Sequence, residues 1–424
     1  MHHFDYRNGV LHCEGVSLER LAREVGTPTY VYSDATLRRH YGVLAEAFAG
    51  ATCLIAYAVK ANSNLGVIAT LASLGAGADV VSGGELMKAM AAGVPANRIV
   101  FSGVAKTEAE MQLGLERGIH QFNVESLPEL HRLAQVARRM GKTAPMAFRV
   151  NPHVEAAGGH AHISTGGAGD KFGIAWHEAP AFYDEARQLK GVDPVGVGVH
   201  IGSQIFRLAP LQEAWTKVVA LVRQLRARGV GISRVDFGGG LGVPYKPGDD
   251  PDSPALYAAQ ARAVLGDLDV ELILEPGRLI AGNAGVLIAR VEYVKERDGR
   301  TFVILDAGMN DLIRPALYAA HHEVIPVLEP ANDAAKAPVD LVGPVCESTD
   351  RFAKDRPMPP LGEGELVAFM TAGAYGATLS SQYNTRPLVA EALVRGNDYA
   401  VVRRRPTFED MIALERAPDW ISGG

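Results

Sequence analysis

The sequence predicts an α/β protein: a (β/α)8 TIM-type barrel followed by a C-terminal, mainly antiparallel β domain that also takes in the N-terminal segment. Three observations predict it. Eight short β-branched or apolar runs lie between residues 51 and 277, most of them followed by a helix-period stretch. Such alternation builds βαβ units and a parallel sheet, and eight units fit a closed barrel. Polar and glycine residues gather at the C-terminal ends of those runs. After residue 280 the texture changes to strands with few helices between them, the pattern of an antiparallel sheet.

Residues 1–32 read as a short strand region and a helix, packing with the β domain. Residues 33–280 form the barrel. Its strands are expected in TCLIAYAV, ADVVS, RIVFSG, QFNVES, MAFRVN, GVGVHIG, RVDFGGG and VELILEPG. Lys60, Ser82, Glu125, Asn151, His200, Gly238 to Gly240 and Glu275 close these runs. In a barrel such ends converge on one mouth, where active sites sit. Any one of them alone reads equally well as a solvated loop residue. Residues 281–424 form the β domain, with strands in GVLIARVEYVKERDG, TFVILDAG, LVAFMTAGAY and YAVVRRRP. Glu329 to Pro338 and Asp350 to Gly364 read as surface loops.

The chain has 424 residues, 47% of them hydrophobic and 21% charged, with a net charge of −6, so it reads as a large globular protein of more than one domain. The densest basic cluster, Arg403 to Arg405, is too short for a nucleic-acid footprint. No apolar run approaches the roughly 18–20 residues of a membrane span. The N-terminal MHHFDYRNGV lacks the pattern of a signal peptide. Cys13, Cys53 and Cys346 are sparse and odd in number, which argues for a reducing compartment and against a disulfide framework. A cytoplasmic protein without nucleic-acid or membrane partners is expected. No two cysteines have metal-ligand spacing. His321-His322 and His160/His162 are pairs that a metal could use, though solvated or core histidines explain them better, and no metal is expected.

Several segments carry chemistry. YAVKANSN puts Lys60 at a strand end, where an amine can lose its proton and form an imine with an aldehyde. On this segment alone, a surface lysine leaving a strand is the simpler reading. RVDFGGGLG has a glycine run after a strand, whose unhindered N–H groups can cradle a phosphate; a tight turn explains it too. ELILEPGR ends a strand with Glu275, a carboxylate that can keep a pyridinium protonated. A structural Glu–Arg pair is the bland alternative. His200 in GVHIGSQ can stack on a ring or simply pack. NDLIRPALY offers Arg314, whose guanidinium can clamp a carboxylate, and Tyr318. GPVCESTD sets Cys346, a possible proton donor, beside Glu347, and a lone cysteine is more often inert packing. GAYGATLSSQYN holds Tyr375 in a Gly-rich turn within reach of a phosphate.

Together, from YAVKAN to SSQYNTRP, these segments resemble the diaminopimelate decarboxylases, fold type III enzymes of the alanine-racemase-like group that depend on pyridoxal 5′-phosphate (PLP). The resemblance implies that Lys60 holds PLP covalently and that His200 stacks on its ring. Ser203, Gly239 and Gly240 would hold the phosphate, Glu275 would face the ring nitrogen, and Pro276, Gly277 and Arg278 would complete that loop. Asp79 is a further expected cofactor contact. Arg278, Arg314 and Tyr318 would bind substrate carboxylate, with Tyr375 touching cofactor and substrate. Cys346 and Glu347 would come from a second copy, making a homodimer with shared active sites. HISTGGAGDKFGI, from His162 to Ile174, resembles the family's loop over the site. The Gly-rich stretch Gly158 to Gly169 and Thr349 in CESTD depart from the usual pattern.

Two features choose among relatives. Alanine racemases pair the ring nitrogen with an arginine, whereas Glu275 favours decarboxylation. Ornithine-type enzymes carry Cys-Asp-Gly where this chain has Cys346-Glu347-Ser348. The expected reaction is decarboxylation of meso-2,6-diaminopimelate to L-lysine, the last step of lysine biosynthesis. The alternative is a related decarboxylase acting on ornithine, lysine, arginine or carboxynorspermidine. A catalytically silent PLP carrier fits poorly, because such proteins tend to lack a β domain.

Overall fold

A computed structural model describes residues 2–154 and 171–422. The chain forms two units: Met1–Ala35 with Asn283–Gly424, and Thr36–Gly282. The expected loop over the site, the Gly158 to Gly169 stretch and the His160/His162 pair lie wholly or largely outside the described residues.

The first unit begins with strands β1 (Phe4–Arg7), β2 (Val10–Cys13) and β3 (Val16–Ser17), a small antiparallel sheet. Ser17 then caps the helix Leu18–Val25 by accepting from the Arg20 N–H. β4 (Thr29–Ser33) follows, fully buried.

In the second unit the barrel strands are β5 (Cys53–Ala58), β6 (Gly77–Val80), β7 (Ile99–Phe101), β8 (Gln121–Val124) and β9 (Ala144–Asn151). A two-residue strand, β10 (Ile174–Ala175), pairs beside β9. β11 (Val192–Gly198), β12 (Arg234–Asp236) and β13 (Glu271–Leu274) complete the set. All pair in parallel, β13 returns to β5 and β8 joins β9, so the sheet closes on itself. All eight expected barrel strands are present. Leu54 and Ala56 of β5, Val100 of β7 and Ile273 of β13 form one buried apolar cluster, as expected of a barrel whose interior is filled by side chains.

The intervening helices start where the sequence offers caps. Thr107 and Glu110 make a reciprocal capping box at Glu108–Arg117, and Ser126 and Ser253 cap Leu127–Arg139 and Pro254–Leu265. Ser82 belongs here as well. Its hydroxyl accepts from the Glu85 N–H, so this strand-end residue is a helix cap.

The rest of the first unit holds β14 (Gly285–Arg297), β15 (Arg300–Leu305), β16 (Val324–Pro326), β17 (Ala337–Val342), β18 (Arg351–Met358), β19 (Leu366–Phe369), β20 (Ala390–Arg395) and β21 (Asp398–Arg403). Their order is β18-β17-β15-β14-β4-β20-β21, with β19 pairing β14 and β16. Most pairs are antiparallel; β15–β17 and β4–β20 are parallel. Leu11, Leu18 and Leu21 share one buried cluster with Val286, Ile288 and Val394, so the N-terminal segment is part of this unit's core.

The sequence expectation is corrected at two loops. Asp350 to Gly364 contains β18, and β17 begins inside Glu329 to Pro338. β18 sits at the sheet edge beside β17, and its exposed positions include Arg351, Lys354 and Asp355. The charges, Pro357, and register shifts around Asp355, which has positive φ, break the alternation that signals a strand.

Candidate active site

The barrel mouth is built from strand ends. Directly after β5 the chain makes a single 3-10 turn, Val59–Ala61, which carries Lys60. Its Nζ donates to Oδ2 of Asp79 in β6 at 2.6 Å, and the Asp79 side chain is fully buried. The other carboxylate oxygen of Asp79 is buried and has no hydrogen-bond partner among the described residues. Lys60, Ser102, Asn123, Arg149, His200 and Glu275 are among the residues lining one cavity here.

Glu275 follows β13. Burial, then the negative charges of Asp236 and Asp79, push its carboxyl well above the usual carboxylate range. It therefore carries a proton, which it shares in a hydrogen bond with Asp236. Asn123 Nδ2 donates to Asp236 Oδ2 at 2.9 Å and lies 3.3 Å from Glu275 Oε1, and Ser102 Oγ is also 3.3 Å from that oxygen. Asp236 accepts from Gly238 N–H at 2.8 Å, so the same carboxylate fixes the glycine turn.

That turn leaves no room for side chains. A Cβ on Gly239 would lie 2.3 Å from the Glu275 carbonyl, and one on Gly240 2.5 Å from that of Gly202; Gly240 also has a φ of +108°. Pro276 and Gly277 continue the loop, the Pro276 carbonyl accepting from Ala58 N–H. Arg278 is buried, donating from Nε and Nη2 to Ser203 Oγ and from Nη1 to the Tyr245 hydroxyl at 2.7 Å.

His200 follows β11. Desolvation, then the Arg149 and Lys60 cations, hold its imidazole well below its usual value, so the ring is neutral. Arg149 donates to the His200 carbonyl at 3.2 Å and pairs with Glu125. Glu125 also accepts from the backbone of Gly103 and Gly173, and Asn151 accepts from His153 N–H. These two strand-end residues hold loops together.

The barrel thus brings together Lys60, Asp79, His200, Ser203, Gly239, Gly240, Glu275, Pro276, Gly277 and Arg278 at the C-terminal ends of its strands. Sequence reasoning missed Ser102, Asn123, Arg149, Asp236 and Tyr245. For Asn123, Arg149 and Asp236 the signal was a polar residue inside an otherwise apolar strand, whereas Ser102 and Tyr245 lie outside the strands.

Arg314, Tyr318, Cys346, Glu347 and Tyr375 belong to the other unit. Arg314 opens the short helix Arg314–Tyr318 and is buried, its Nη1 2.9 Å from His322 Nε2. Cys346 and Glu347 lie on an exposed turn, with Cys346 N–H donating to Asn384 Oδ1. Tyr375 is half-buried with a φ of 56°, uncommon for a residue with a side chain.

The chemistry of the barrel site fits a pyridoxal phosphate. An amine is available for its aldehyde and a protonated acid for its ring nitrogen. An unpartnered buried carboxylate oxygen and a turn too tight for any Cβ stand beside them. Residues 34–282 match the family model described as pyridoxal-dependent decarboxylase, pyridoxal binding domain. A diaminopimelate decarboxylase of Pseudomonas aeruginosa is 49% identical over 412 residues, 97% of this chain and 98% of that protein. The chain belongs to the diaminopimelate decarboxylase family. The family's enzyme from Vibrio cholerae is also 49% identical, over 98% of this chain and 99% of its own length. The diaminopimelate decarboxylase structure from M. jannaschii, in complex with L-lysine, superposes with a TM-score of 0.93 at 37% identity, covering 98% of each chain. Membership makes this chain a PLP-dependent carbon–carbon lyase. Among the described residues no helix is long and apolar enough to cross a membrane.

Proposed function

We propose that the chain removes CO2 from the D-configured centre of meso-2,6-diaminopimelate and releases L-lysine, the last step of lysine biosynthesis. Glu275 carries this reading. It is a buried acid that holds its proton, in a family whose M. jannaschii member was solved with L-lysine. Bound PLP supplies the electron sink for the carbanion that departing CO2 leaves.

The residues divide the work. Lys60 would hold the cofactor through Nζ, and Asp79, which accepts from Lys60 Nζ at 2.6 Å, would keep that amine at the barrel mouth. Glu275 would face the ring nitrogen and supply a proton there, with Asp236, Asn123 and Ser102 keeping the carboxyl in place. His200, neutral, would stack on the ring. The N–H groups of Gly239 and Gly240, with Ser203, would hold the phosphate, and Pro276 and Gly277 would bring that backbone close. Arg278, Arg314 and Tyr318 bind substrate carboxylate, Glu347 the far ammonium, and Tyr375 touches both cofactor and substrate. Cys346 delivers the proton that replaces CO2.

Residues 33–280 are the cofactor domain in this reading. Residues 281–424, with 1–32 packed on them, carry the substrate and dimer contacts. The working unit is a homodimer in the cytoplasm. Cys346 and Glu347 are exposed in the single chain, as expected of residues that enter the site of a second copy.

The test is CO2 release by the purified protein from diaminopimelate, ornithine, lysine, arginine and carboxynorspermidine. Diaminopimelate should be strongly preferred, because a site built to pair both ends rejects analogues lacking one. Preference for ornithine overturns the assignment.

A further inference from the structure

His321 and His322 stand out in the sequence as an adjacent pair, yet among the described residues no group of three or more metal-ligating side chains is assembled. The two imidazoles have other work. His322 is 2% exposed, and its ring nitrogens face partners of opposite kind. Nδ1 lies 2.9 Å from the Met370 carbonyl oxygen, and Nε2 lies 2.9 Å from Nη1 of Arg314. A carbonyl oxygen only accepts, so Nδ1 carries the hydrogen. A guanidinium only donates, so Nε2 offers its lone pair. The partners fix the ring in one state, neutral with the proton on Nδ1.

The backbone around the ring is held as firmly. The His322 carbonyl accepts from Arg356 Nη1 at 3.1 Å. Arg356 also meets His321 Nδ1 at 3.2 Å and Glu323 at 3.7 Å. Met370, which takes the Nδ1 hydrogen, follows β19 and donates its own N–H to the Glu323 carbonyl at 2.8 Å. The imidazole is thus bracketed between the segments that lead into β16 and out of β19, two paired strands.

Arg314 needs such a bracket. It opens a helix of five residues, too short to restrain a long side chain by itself. A carboxylate could orient the guanidinium, but it would also cancel the charge that attracts an anion. A neutral imidazole orients without cancelling.

We infer that His322 is the positioning residue for Arg314, holding the guanidinium in one orientation toward the substrate's far carboxylate without itself adding a counter-charge. The inference rests on the reading that Arg314 binds that carboxylate.

Three substitutions in the PLP-loaded enzyme test it. His322→Asn keeps a donor for the Met370 carbonyl but offers nothing to Arg314. His322→Gln places an amide oxygen near the Nε2 position. His322→Glu places a carboxylate there. His322→Asn should raise KM for diaminopimelate about tenfold, the size of one charge-assisted hydrogen bond, with kcat within about threefold of the parent. It should weaken competitive inhibition by L-lysine by the same factor, because the product keeps the far carboxylate. His322→Gln should recover most of both, and His322→Glu should not. In an Arg314→Ala background His322→Asn should add nothing.

Equal KM values for the Asn, Gln and Glu variants overturn the inference, since a purely structural histidine would not distinguish them. If His322→Asn does not fold, the Gln-against-Glu comparison decides by the same criterion. Arg314→Ala separates the two claims. If it raises KM and the lysine inhibition constant while His322→Asn changes neither, the inference fails and the reading of Arg314 stands. If Arg314→Ala changes neither constant, the reading fails and takes the inference with it.

Discussion

Lys60 and Asp79 meet at 2.6 Å across the ends of β5 and β6, a half-exposed ammonium against a fully buried carboxylate. The pair anchors the lysine at the barrel mouth, beside Glu275 and His200 in one cavity. Lys60→Ala should abolish both the visible absorbance of covalently held cofactor and CO2 release. Spectra and assays on the purified variant check this, and a retained covalent chromophore would move the attachment point elsewhere.

Glu275→Gln keeps the shape of the side chain but removes the acid. The amide cannot hand a proton to a ring nitrogen, so kcat should fall about 10²-fold or more. Cofactor content, measured by absorbance, should remain near that of the parent. A variant with unchanged kcat would show that ring protonation does not depend on this residue.

Cys346→Ala should lower kcat with little change in KM, because a proton donor acts after substrate is bound. The shared-site reading adds a sharper expectation. Mixing the inactive Lys60→Ala protein with the impaired Cys346→Ala protein and letting subunits exchange should raise activity to about a quarter of the parental value, since half of the dimers would then hold one intact site. If activity does not rise under exchange that is verified independently, each site belongs to one chain.

Asp311 offers a stability test. Burial pushes its carboxyl up to about 7, against the hydrogen bond it accepts from Gly308 N–H. The folded protein therefore holds a proton there that the unfolded chain releases near its ordinary value, 3.8. Folding binds that proton between the two values, so stability falls as pH rises through the window, and the penalty is complete above it. Asp311→Asn removes the penalty, so its Tm relative to the parent should be more favourable at about pH 8.5 than at about pH 5. The neighbouring amide can adapt, since Asn310 Oδ1 is buried without a partner and can turn to accept from the new amide. An equal Tm difference at both pH values would contradict the raised carboxyl.

The barrel was legible because each of its strands is a compact apolar run closed by a polar or glycine residue. Lys60, His200 and Glu275 stood at such closures. Asn123 and Asp236 did not, since each sits within its strand and takes part only when the sheet curls and brings distant strands face to face. Ser82 shows the opposite failure: it occupies a strand end yet spends its hydroxyl on capping the next helix. β18 was hidden because this edge strand leaves half of its residues exposed and needs no apolar alternation. His322 was visible only as half of a histidine pair, and its link to Arg314 depends on the fold of the segment between them.

β4 is translated among the first residues and placed among the last. It lies in the middle of its sheet with β14 on one side and β20 on the other. Neither neighbour exists until the ribosome has passed residues 285 and 390. The nascent chain must therefore keep an aggregation-prone segment, TYVYS, unpaired while the whole barrel is made. Removing residues 1–33 would not trim an edge. It would divide the sheet into two pieces and leave a fresh hydrogen-bonding rim on each, so an N-terminal truncation should compromise the far end of the polypeptide.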